Sequence, residues 1–139
     1  MTNSNNLKEK FEIHQKALDR LGEALDIKKS AAISHDIIMD SCIQRFEFSY
    51  ELLWKALKKL LSQKEAIEAN SPKQVLRESF KIGWINQKDE NSWLDMLESR
   101  NLTSHTYEQT TADKVYQQLP KYHKMMSDLN HKLIKLYSL

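Results

Sequence analysis

Apolar residues recur at three- and four-residue intervals along most of this chain, the spacing of helices with one buried face. Leu7, Phe11, His14, Leu18, Leu21 and Leu25 form one such stripe and predict a helix over about 6–27. Residues 1–6 are polar and are expected to fray. His14 falls on the stripe and reads as a packed or boundary histidine. After a connection over 28–34, with Ser34 as a helix cap, a second helix is predicted over about 35–64. Its apolar positions are unusually broad. Ile38, Cys42, Phe46, Leu53 and Leu57 make one stripe; Ile43, Tyr50 and Trp54 widen it; Phe48 and Leu52 add a third side. A surface helix needs one apolar stripe, so this girdle predicts burial on more than one side. A second copy of the chain would cover the extra side; a central helix in a monomer is the alternative. Glu47, Glu51 and Lys55, four apart, read as ion pairs along the helix surface. The roles of Arg45 and Glu47 toward any site stay open at this stage.

After a polar linker over 65–70, Ser71-Pro72 marks a helix start, a capping hydroxyl followed by proline at the first helical position. Val75, Leu76 and Phe80 make this helix short, and Gly83 ends it. Asp89 or Glu90 opens the next, with Trp93, Leu94, Met96 and Leu97 as its apolar residues, and it delivers the chain to Arg100. Thr110 or Thr111 is placed to cap a last helix carrying Val115, Leu119, Tyr122, Met126, Leu129 and Leu133. Pro120 inside that run predicts a kink or a split. No segment alternates as a strand does. The pattern predicts an all-α, antiparallel up-and-down four-helix bundle with one additional short helix, in a single domain over residues 1–139.

Composition sharpens this picture in three places. Two Gly and two Pro leave little turn chemistry, in keeping with long helices and short connections. A formal net charge of +2 neither demands nor excludes nucleic acid, because a local patch suffices to bind it. Lys121, Lys124, Lys132 and Lys135 spread along the last helix as a solvated face, with RNA or partner docking as the alternative. The lone Cys42 has no internal disulfide partner. With no apolar run near the roughly 20 residues of a membrane span and no signal-peptide core, the expected location is the cytoplasm.

The candidate chemistry is concentrated in Arg100-Asn101-Leu102-Thr103-Ser104-His105-Thr106-Tyr107. A guanidinium, a carboxamide, an imidazole and a phenol lie within one short stretch. On an ideal helix Asn101 and His105 share a face, about 40° apart, whereas Arg100 and His105 stand about 140° apart. Arg100 and His105 therefore converge only if the helix ends or loosens here, or if a second chain completes the site. Thr103, Ser104 and Thr106 favour an end, since their hydroxyls compete for backbone groups. By residue chemistry alone, Arg and His at such a place also suit a plain helix C-terminus, where the last carbonyls carry partial negative charge.

Arg100-Asn101-x3-His105 resembles the R-x4-6-H motif of the HEPN superfamily, and its extension to Tyr107 resembles the R-x4-H-x-Y form of HEPN toxins paired with small nucleotidyltransferases. Arg45-Phe46-Glu47-Phe48-Ser49-Tyr50-Glu51-Leu52-Leu53-Trp54-Lys55 is similar to the long second helix of the nucleotidyltransferase substrate-binding protein family, a HEPN branch. The resemblance covers about residues 7–136. It implies a homodimeric, metal-independent ribonuclease with Arg100, Asn101 and His105 as catalytic residues, no cofactor, an RNA substrate, and a small nucleotidyltransferase partner that silences the protein by transferring AMP to Tyr107. A substrate-binding subunit without catalysis is the alternative within the family, and a helical scaffold the alternative outside it.

Other chemistries lack their parts. Zinc needs clustered soft or imidazole ligands, whereas one Cys and five His are scattered here. There is no glycine-rich phosphate loop. Asp95 and Glu98 read as a solvated acidic face, and no metal is assigned. Ser104 beside His105 is not a nucleophile and base pair of a known kind.

Overall fold

The computed structural model describes residues 2–27 and 34–139, with side chains from Asn6 onward. Five α-helices build it: α1 (Thr2–Leu25), α2 (His35–Glu65), α3 (Pro72–Lys81), α4 (Glu90–Leu102) and α5 (Gln109–Leu136). Two 3-10 turns, Gln87–Asp89 and Thr103–His105, open and close α4. The architecture is the expected all-α up-and-down bundle, with α3 as its short helix. The long helix α2 packs against α1, α3, α4 and α5, and α1 packs on α5.

The helix starts follow local chemistry. The Ser34 hydroxyl accepts from the Ile37 amide at 3.2 Å, and the Ser71 hydroxyl from the Gln74 amide at 3.2 Å. The Gln74 side chain reaches back to accept from the Asn70 amide at 2.8 Å, so two amides that the helix leaves unpaired are satisfied. At the other end of α3, Gly83 takes a φ of +83°, a conformation that favours glycine. The Lys132 ammonium then donates to the carbonyls of Gly83 and Trp84 at 3.2 and 2.8 Å. That lysine of the expected solvated strip therefore ties α5 to the α3–α4 connection.

Four expectations need correction. α1 begins at Thr2, ahead of the expected residue 6. α5 begins at Gln109, so Thr110 and Thr111 lie inside its first turn and Glu108 holds the cap position. Pro120 does not split α5, which is unbroken from Gln109 to Leu136. Pro120 is exposed, so the carbonyl its ring leaves without a donor lies on the side that water reaches. The 65–70 linker, read as polar, buries Ala69 and half-buries Ile67. The 28–33 connection lies outside the described residues.

The core is built by the predicted stripes: Phe11 and Leu18 from α1, Phe46, Leu53 and Leu60 from α2, and Leu119, Met126 and Leu133 from α5, all buried. His14 is buried among them. The Asn130 side-chain amide donates to its Nδ1 at 2.6 Å, and burial lowers the imidazole pKa to about 3. It is a neutral core histidine. Phe46 stacks on Tyr122 with ring centroids 5.6 Å apart, and the Tyr122 hydroxyl is hydrogen-bonded to the Ser99 hydroxyl at 3.0 Å. The latter contact fixes the end of α4 one residue before Arg100.

Candidate functional site

The site grows from the way α4 ends. After Leu102 the chain tightens into the 3-10 turn Thr103–His105. The hydroxyls of this stretch turn back onto its own carbonyls. Thr103 Oγ1 donates to Arg100 O at 2.7 Å, Ser104 Oγ to Asn101 O at 3.2 Å, and Thr106 Oγ1 to Thr103 O at 3.2 Å. These bonds satisfy carbonyls that a helix end leaves open.

Arg100 does not point into solvent. Its guanidinium donates to Glu51 Oε1 at 3.3 Å and to Thr103 Oγ1 at 3.4 Å. The other Glu51 oxygen accepts from the Trp54 indole N–H at 2.6 Å. One carboxylate on α2 thus holds the guanidinium and orients an aromatic ring. Beneath it lies Tyr50; burial pushes its phenol up, opposed by the Arg100 charge and reinforced by Glu51. The Arg100 side chain keeps 25% of its surface accessible, so it is anchored and still reachable.

The remaining motif residues face outward. Asn101 and His105 are exposed. Tyr107 is 79% exposed, and its ring meets the His105 ring edge-on with centroids 6.1 Å apart. A cleft of about 390 Å³ between α2 and the turn is lined by Asp40, Gln44, Glu47, Thr103, Thr106 and Tyr107. Glu47 therefore reaches the edge of the motif. Arg45 does not: it donates to the Arg20 carbonyl of α1 at 2.6 Å. Among the described residues no hydrogen bond joins Arg100 to His105. The fold holds Arg100 against Glu51 of α2 and sets the His105 ring against Tyr107.

Glu51 is the residue that sequence reasoning missed. Its spacing suggests surface pairing with Lys55, yet its charged partner is Arg100. The sequence does hold a signal: Glu51 sits between the core residue Tyr50 and the apolar Leu53 and Trp54, where a solvated carboxylate is out of place. Among the described residues no three of His, Cys, Asp and Glu converge as metal ligands. Among the described residues no helix is long and apolar enough to cross a membrane.

A five-helix bundle with R-x4-H at the unwinding end of a helix, held against a long second helix, defines a HEPN-type protein. The chain belongs to the family described as nucleotidyltransferase substrate binding protein like, which it matches over residues 9–135. A curated relative from Haemophilus influenzae, named probable ribonuclease HepT, is 39% identical over 92 residues, covering 63% of this chain and 62% of that protein. The match thus spans less than two thirds of that relative's length. A crystal structure from Thermus thermophilus superposes with a TM-score of 0.78 at 34% identity, covering 86% of this chain and 98% of the other. A Haemophilus influenzae structure, described as the fold of a substrate-binding domain of a nucleotidyltransferase, gives 0.64 at 31% identity, covering 93% and 97%.

Proposed function

We propose that this protein is a metal-independent ribonuclease, active as a homodimer and paired with a small nucleotidyltransferase that controls it. The observation that carries the reading is the anchored Arg100 beside an exposed His105. Cleavage would run through the ribose 2′-hydroxyl. Its oxygen attacks the adjacent phosphorus, the bond from phosphorus to the 5′-oxygen breaks, and the products are a 2′,3′-cyclic phosphate and a 5′-hydroxyl. Imidazole is suited to taking the 2′-proton and returning one to the leaving oxygen near neutral pH. Arg100 neutralises the charge that builds on the phosphoryl oxygens, and Asn101 orients the phosphate or His105.

A dimer suits this division of labour. Two motifs facing across a two-fold axis bring the Arg100 of one copy toward the His105 of the other. The exposed apolar residues of α1 and α2 support an interface: Phe48 is 55% and Ile13 43% exposed. They border a groove that also contains Ala17 and Leu52. The ribonuclease name of the Haemophilus relative supports the catalytic reading. The description of the second structural neighbour supports the alternative, a non-catalytic subunit that presents substrate to a nucleotidyltransferase. Incubation of the purified protein with total RNA in EDTA separates the two. Fragments ending in 2′,3′-cyclic phosphate are expected; intact RNA with retained RNA binding supports the presenting subunit.

A further inference from the structure

Beyond Glu51, the exposed side of α2 turns basic. Lys55, Lys58, Lys59 and Ser62 follow Glu51 at spacings of four, three, one and three, and so form one stripe along the helix. With Lys10 of α1 they line a groove of about 480 Å³ whose wall includes Trp54 and Gln63. Its one acidic residue, Glu68, accepts a hydrogen bond from the Ser62 hydroxyl at 3.1 Å. Among the described residues none of the four lysines pairs with a carboxylate. Two lysines of α5 are otherwise engaged: Lys124 pairs with Asp128 at 2.7 Å, and Lys132 caps two carbonyls.

Three features make this groove more than a solvated face. First, Trp54 is half-buried and its indole N–H is bound to Glu51, so the ring is held at the end of the lysine stripe. Second, the Gln63 side chain also lines the groove, and a carboxamide can donate to or accept from ribose and base groups. Third, the carboxylate that orients Trp54 also holds Arg100, so the stripe leads directly from the candidate catalytic guanidinium. Successive helix turns, about 5.4 Å apart, set its cations at intervals comparable to those between phosphates of one strand. A charged track with an aromatic face is how single strands are held without regard to sequence.

We infer that Lys10, Lys55, Lys58 and Lys59, with the Trp54 ring as a stacking platform, form the track that holds the RNA strand running into the Arg100 site. This deepens the proposed function and names the surface its substrate uses. The track is electrostatic and sequence-tolerant; it sets affinity and leaves chemistry to Arg100 and His105.

The test uses the full-length His105→Ala protein, a 12-nucleotide single-stranded RNA, and titrations at several salt concentrations. The combined Lys55→Glu, Lys58→Glu and Lys59→Glu variant is expected to bind at least tenfold more weakly, with a log–log salt slope shallower by about 2. A charge-matched variant, Lys73→Glu with Lys121→Glu and Lys135→Glu, is expected to bind as the parent does. RNA should quench indole fluorescence, and Trp54→Phe should remove the quench. In the active protein the lysine reversals should raise KM. Unchanged affinity and salt slope would overturn the inference, as would normal RNA binding with selective loss of the nucleotidyltransferase partner, which would make the stripe a protein-docking face. The two proposals fail separately. Loss of binding in the lysine variant of a protein that never cleaves RNA leaves the track standing and removes the nuclease. Cleavage by the parent with an indifferent lysine variant does the reverse.

Discussion

The Arg100 guanidinium donates to the Glu51 carboxylate at 3.3 Å, across 49 positions of the chain. Glu51 also accepts from Trp54 at 2.6 Å. The pair is partly exposed, with 25% and 36% of the two side chains accessible, so its contribution to stability is limited to about 1 kcal/mol. Its larger effect is to fix where a long, otherwise freely rotating cation stands.

Glu51→Ala is therefore expected to lower RNA cleavage at least tenfold while unfolding shifts by about 1 kcal/mol or less. Glu51→Gln, which keeps one acceptor oxygen and loses the charge, should recover part of the rate. Cleavage kinetics set beside thermal unfolding check this. An Ala variant as fast as the parent would show that Arg100 needs no support from α2.

Tyr107 is the most exposed large apolar residue described, at 79%, and its ring lies against His105. An adenylyl group on its hydroxyl would add bulk and negative charge at the motif, and its phosphate would compete with RNA for Arg100. After incubation with the partner nucleotidyltransferase and ATP, the intact mass should rise by one or more AMP units, and cleavage should stop. Tyr107→Phe should keep its mass and its activity. Equal modification of the Phe variant would place the acceptor elsewhere.

His14 gives the fold a pH dependence of known sign. Its pKa is about 3 in the native state against 6.5 as the ordinary value. Between these limits the unfolded chain binds the extra proton, so stability rises with pH and is lost as pH falls from 6.5 toward 3. The slope of this contribution is at most about 1.4 kcal/mol per pH unit. Urea unfolding at pH 7, 6 and 5 should show a flatter profile for His14→Gln than for the parent. Parallel profiles would mean that His14 does not report burial.

Much of the bundle is legible in the sequence because it rests on local rules. The stripe from Leu7 to Leu25, the reach of α2, the Ser71-Pro72 start of α3 and the stop at Gly83 all follow from periodicity and capping. What escapes depends on distant chain segments. Glu51 looks like a partner for Lys55 one turn away, and finds Arg100 because Ser99 and Tyr122 lock α4 in place. Arg45, whose role the sequence leaves open, turns to the Arg20 carbonyl. Lys132 looks solvated and caps the α3–α4 connection. Pro120 predicts a kink or a split on a local rule, and α5 runs unbroken across it between the buried Leu119 and Tyr122. The motif residues are legible as a cluster, as is the angle of about 140° between Arg100 and His105 on an ideal helix; that α2 holds Arg100 through Glu51 is not.

That separation gives the dimer a direct check. Light scattering should report a homodimer at micromolar concentration. Mixing inactive Arg100→Ala and His105→Ala proteins should restore cleavage, because a mixed dimer holds one intact pair formed across the interface. Monomers throughout that range, or mixtures that stay inactive after subunit exchange, would remove the shared-site arrangement.

Cleavage of one labelled RNA by three proteins decides whether Arg100 and His105 carry out the proposed RNA cleavage. Parent, Arg100→Ala and His105→Ala are compared in EDTA, with circular dichroism on each sample. Both positions lie at a helix end with polar surroundings, so each substitution should cost about 1 kcal/mol or less and leave the helical spectrum unchanged. The account predicts cleavage by the parent and none by either variant. Undiminished cleavage by a folded Arg100→Ala or His105→Ala protein would contradict it.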